Sequence, residues 1–188
     1  MHRLLYALGL AYVVASAVLI ATRPARSGGP SHPLPPVEGG GPGEWFAGIR
    51  PFCNPVEVEV ALRQHQPPTG FEGSAYSAAC LALAGKVDRA RLLIDALPVG
   101  ERARAAGVVF EVAHPVADAG DDQAAGPIME LVIAYWPNHY MALYHAGMSE
   151  YALGQVALAR SHLQSFLYYY HEDDGWTRNA RDVLARLR

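Results

Sequence analysis

The sequence predicts an all-α domain built from stacked helix-turn-helix units, behind an apolar N-terminal segment and a linker. Three observations predict it. Gly85 is followed five positions on by Ala90, Gly120 by Ala125 and Gly154 by Ala159, with the glycines 35 and then 34 residues apart. A period near 34 is the mark of paired helices, because one pair cannot bury its own apolar face alone. Apolar residues within the last unit recur at helical spacing, and outside the run from Val56 to Val60 no stretch of the domain reads as a sheet.

The chain opens with an apolar run. Leu4 to Thr22 carries no charge. At about 1.5 Å per residue such a helix reaches close to 30 Å, the depth of a hydrocarbon core. Two readings compete for residues 1–22. One is an uncleaved transmembrane signal anchor. The other is a signal peptide cut after Ala15-Ser16-Ala17, which releases a secreted protein. The apolar run continues through Val18-Leu19-Ile20-Ala21, which favours the anchor. The amino terminus and Arg3 balance Arg23 and Arg26, so the positive-inside rule barely chooses an orientation. Charge at the very front favours an extracytoplasmic, periplasmic domain; a cytoplasmic-facing one is the alternative.

Residues 23–44 follow as a linker. The stretch 22–44 holds six Gly and six Pro, a composition that cannot offset the entropy of ordering. As a coil it spans roughly 25–30 Å, and fully extended about 70 Å.

The folded domain is expected over 45–188. Asn54-Pro55 followed by Glu57 reads as a helix start, and outweighs the strand-like alternation from Val56 to Val60. Three units then follow at 71–104, 106–139 and 140–173. In the last, Asn138 is the expected cap and Gly154 the corner. Val156, Ala159, Leu163, Phe166 and Leu167 form one apolar stripe, while Gly147 and Ala159 allow a close approach. Pro98 ends the second helix of the first unit early. His114-Pro115 should kink or break its helix. A capping helix over 175–187, started by Asp173 and Asp174, carries Trp176, Ala180, Val183, Leu184 and Leu187 on one side. Tyr168-Tyr169-Tyr170 either packs under it or offers a second contact surface.

The last unit resembles a tetratricopeptide (TPR) repeat. Gly147, Tyr151, Gly154, Ala159 and Leu167 fall where that family favours Gly, Tyr, Gly, Ala and Leu. The middle unit matches at Gly120, Ala125 and Pro137, and the first at Gly85 and Ala90. Leu143 stands at the family's early Trp and His171 at its closing Pro, both departures. The resemblance implies a concave groove lined by the first helices. Carried over position by position, its members are Tyr76, Phe110, Glu111, His114, Tyr144, His145, Met148 and Tyr151. Aromatics and Met suit a surface that holds an apolar or mixed peptide, or a helix laid lengthwise. The expected role is a membrane-tethered adaptor or scaffold for a protein partner, within a membrane complex; the competing reading has neighbouring helices covering these side chains.

Composition excludes much else. The net charge is −3 and Lys86 is the only lysine, so no basic patch exists to grip nucleic acid. No phosphate loop, nucleophile elbow, Cys-x-x-Cys or haem attachment sequence occurs, and neither enzymatic activity nor a cofactor is expected. Glu111 and His114 share a helix face, but a di-iron bundle needs that pair twice; a small metal protein or enzyme using them is the alternative. The eight histidines otherwise read as surface or groove residues. Cys53 and Cys80 are the only cysteines. They either form a disulfide tying the leading helix to the stack in an exported domain, or remain two buried thiols.

Overall fold

The computed structural model describes residues 40–187, and these are entirely helical and turn. The segment at 1–22 and most of the linker at 23–44 lie outside the described residues. Among the described residues, no helix is long and apolar enough to cross a membrane.

Helix α1 (Pro42–Ile49) starts three residues before the expected domain boundary. Pro42 sits in its first turn, where a missing N–H costs nothing, and Trp45, Phe46 and Ile49 are buried beneath it. That burial explains why the helix reaches into the Gly/Pro-rich stretch. A short 3-10 turn (Arg50–Phe52) leads to α2 (Val58–Gln64). Asn54 Oδ1 accepts from the amides of Val56 and Glu57, so the Val/Glu alternation winds as helix from Val58.

Three helical hairpins follow. They are α3 (Phe71–Leu83) with α4 (Val87–Asp95), α5 (Val99–Asp118) with α6 (Asp122–Tyr135), and α7 (Tyr140–Ala152) with α8 (Val156–Tyr169). Their corners share one construction. Gly85, Gly120 and Gly154 have φ of +72°, +78° and +74°. At each, the glycine amide donates three residues back, to Ala82, Ala117 or Tyr151. The next amide donates five back, to Leu81, Val116 or Glu150. This paired closure absorbs the last free carbonyls, and the left-handed φ is cheap only for glycine. Ala90, Ala125 and Ala159 are all buried behind these corners.

The unit boundaries differ from the expectation. Helix α4 ends at Asp95, and α5 begins at Val99, seven residues before the expected start of the second unit. Pro98, extended at ψ 141°, is the N-cap of α5, and Arg102 clasps the turn by donating to the carbonyls of Leu97 and Asp95. The helix neither breaks nor ends at Pro115 but continues to Asp118. Flanking burial of Val112, Ala113 and Ala117 holds it, which offsets the missing amide. The cap of α7 is His139 rather than Asn138, its Nδ1 accepting from the Ala142 amide at 3.3 Å.

Packing is not uniform along the array. Helix α3 lies against both α4 and α5, whereas α7 lies against α6 and α8. Gly147 admits Leu163, whose Cγ would stand 2.7 Å from a Cβ at that position. The last helix, α9 (Gly175–Arg186), packs on α7 and α8. Asp174 caps it through the amides of Trp176 and Thr177, and Thr177 returns a bond to complete a capping box. The tyrosine run divides. Tyr168 and Tyr169 are exposed, while Tyr170 stacks on Tyr140 and Phe166 and donates to Asp174 at 2.6 Å. That bond holds Asp174 below the usual carboxylate range and pushes Tyr170 up to about 12. Cys53 and Cys80 are joined by a disulfide that fastens the segment after α1 to α3.

Candidate functional site

The expected groove residues do not form one surface. Tyr144, Phe110 and His145 are all about 95% buried. Tyr144 belongs to the core cluster with Phe166, Val183 and Leu187, and its hydroxyl accepts from Asn179 Nδ2 at 2.6 Å. Met148 and Tyr151 pack against the same cluster. Helix α9 therefore covers the inner face of the third unit. The cause is its own apolar side: Ala180, Val183 and Leu187 have nowhere else to be buried.

An open cleft remains where α9 does not reach. It encloses about 560 Å³ between α1, α3, α5 and the turn after α6. Pockets of about 300–1,000 Å³ are the size that receives a side-chain cluster or small ligand. One wall is Phe46 of α1 stacked on Tyr76 of α3, their ring centroids 4.9 Å apart. The floor is α5, through Gly107, Val108, Val112 and Pro115. Trp136 and His139 close the far side, their rings meeting edge to face at 4.6 Å. Gly107 matters here, because a Cβ would touch the Trp136 ring at 3.4 Å.

Charged groups border this apolar lining. Arg50, Arg104 and Glu111 reach its rim. Arg104 lies over the Phe71 ring at 3.6 Å and within 3.9 Å of Glu72, so its guanidinium is held in place. Burial lowers the His139 pKa, which keeps the ring uncharged where it caps α7. Of the residues taken from the sequence, Tyr76 and Glu111 line this cleft. Phe46, Arg50, Arg104, Val108, Trp136 and His139 were not foreseen. A Trp directly before Pro137, where a helix must end, was the available signal.

Glu111 and His114 do not share a site. Glu111 faces the cleft. His114 instead stacks on Phe110 at 4.7 Å and turns Nε2 toward Asp118. His145, from α7, turns Nε2 toward the same carboxylate, and its ring meets that of His114 edge to face at 5.0 Å. Burial, with His114 alongside, drives the His145 pKa down to about 4, so the ring is neutral at pH 7.

The remaining histidines are not uniform either. His162 Nδ1 lies 2.8 Å from both oxygens of Glu150, a carboxylate that is 2% exposed. His171 is exposed. No protein-family model matches the chain, and neither does any curated protein or solved structure.

Proposed function

We propose that this protein is a membrane-tethered, TPR-like interaction module. Its cleft between α1, α3 and α5 receives a segment of a protein partner. The observation that carries this reading is the cleft itself: aromatic and aliphatic walls, with arginines and a glutamate at the rim. Such a surface favours a mixed segment that inserts a large apolar side chain and sets polar neighbours against the rim. The preformed stacking of Phe46 on Tyr76 limits the ordering cost of binding.

Three identical glycine corners, each followed by a buried alanine, support the repeat reading. The apolar stretch from Leu4 to Thr22 supports the membrane tether. The Cys53–Cys80 disulfide supports an extracytoplasmic, oxidising compartment. The same chain with its domain in the cytoplasm would carry free thiols instead.

Val108 lies on the floor of the cleft and is only partly buried. Val108→Arg should therefore lower partner binding at least about tenfold, the scale of an interface hot spot, without shifting the melting temperature. Leu92, 67% exposed on α4, supplies the control. Leu92→Arg should leave binding unchanged. Equal binding by both variants and the parent would remove the cleft from the account.

A further inference from the structure

We propose that His114 Nε2, Asp118 and His145 Nε2 form a binding site for a divalent transition-metal ion, with zinc the best-fitting occupant. The site is independent of the cleft and of its partner.

The Nε2 atoms of both histidines are shielded from solvent and have no hydrogen-bond partner among the described residues. A buried polar atom left unpaired forfeits its hydration with nothing in return. Two such atoms turned toward one carboxylate are a concentrated cost unless something occupies the space between them.

His114 Nε2 lies 3.4 Å and His145 Nε2 3.6 Å from Asp118 Oδ1. Hydrogen bonds of this type close to about 2.7–3.2 Å. Ligands of a tetrahedral zinc ion, with bonds of about 2.1 Å, stand roughly 3.4 Å from one another. The three donor atoms all lie within 4.8 Å of one another. The two histidine–carboxylate separations are thus longer than an ordinary hydrogen bond and match the edge of a coordination tetrahedron.

His114 and Asp118 are four residues apart on α5, so they project from one face one turn apart. His145 comes from the middle of α7. The His114 ring of α5 and the His145 ring of α7 meet edge to face at 5.0 Å, so side chains of the two helices already converge here. A metal would add a direct tie between α5 and α7, beside the packing of α6 on α7. Two imidazoles and one carboxylate favour zinc, cobalt or nickel over calcium or magnesium. Asp118 is half-exposed, so the fourth position opens to solvent and would take water or a donor from another molecule.

The test uses full-length, tag-free protein in mild detergent, stripped with a chelator. Zinc is titrated against a chromophoric competitor, and cobalt(II) serves as the spectroscopic probe. Equimolar zinc binding and cobalt d–d bands of tetrahedral intensity are expected. Asp118→Ala changes a half-exposed residue and should keep its helical circular dichroism. It should lose at least about a hundredfold in affinity, since even outer-sphere partners are worth 10–100-fold. His145→Gln should lose as much, and His171→Ala nothing. No equimolar zinc, undiminished affinity in Asp118→Ala, or equal uptake of calcium would each overturn the site.

Discussion

Replacing Tyr144 by alanine is expected to lower the free energy of unfolding by about 3–5 kcal/mol, the range for emptying an aromatic site in a packed core. The ring is surrounded on three sides. Phe166 of α8 meets it at 5.1 Å, Trp176 of α9 at 4.9 Å and His145 at 5.2 Å. Truncation also removes the hydrogen bond from Asn179 and loosens α9 from α7. A domain of this size holds only about 5–15 kcal/mol in total, so the variant should sit near its unfolding threshold. Urea titration followed by circular dichroism measures it. Tyr144→Phe separates the two contributions: it keeps the ring contacts and should cost about 1 kcal/mol for the lost hydrogen bond. A groove residue would behave in the opposite way, with alanine harmless to stability and costly to binding. Wild-type stability in Tyr144→Ala would mean that α9 does not cover this face.

His162→Ala is expected to cost about 3 kcal/mol at neutral pH, and the cost should depend on pH. Glu150 is almost fully buried, and His162 is its close partner. Removing one member of such a pair leaves an uncompensated charge, a loss of about 3–5 kcal/mol for fully enclosed pairs. The lower figure applies because the His162 side chain is 21% exposed. The sign of the pH effect follows from the carboxyl. Burial raises the Glu150 pKa, His162 opposes that rise, and nearby Glu130 adds to it. Without His162 the folded form holds its proton still more tightly than the unfolded chain. A group with a raised folded pKa loses stability as pH climbs above its unfolded value, here 4.5. The deficit of His162→Ala should therefore be smallest at pH 5 and grow toward pH 8. Adding Glu150→Gln to that variant should flatten the dependence. A deficit of equal size at every pH would place the loss in packing rather than in charge.

Local features were legible in the sequence because their causes are local. A left-handed corner selects glycine through its own backbone, so Gly85, Gly120 and Gly154 could be found by spacing alone. Asp174 could be read as a cap for the same reason. Burial across helices could not be read that way. Tyr144, Met148 and Tyr151 have the composition of a binding face, and only the return of α9 turns that face into core. The start of α5 was obscured by regular spacing: a period of 34 places it near Ala106, but Pro98 caps it at Val99. His114 and Asp118 are one helical turn apart and were accessible to a search. Their meeting with His145 depends on how α5 and α7 are set, which no spacing encodes. The cleft was partly hidden because one wall, Phe46, comes from a helix that emerges directly from the Gly/Pro-rich stretch.

The most direct measurement is site-specific photocrosslinking in intact membranes, with a photoreactive phenylalanine at position 108 in one variant and at position 92 in another. If the cleft is the docking surface, position 108 yields a discrete adduct with one protein, mapping to one short segment of it, and position 92 yields none. No adduct at 108, or the same set of adducts at both positions, would contradict the account.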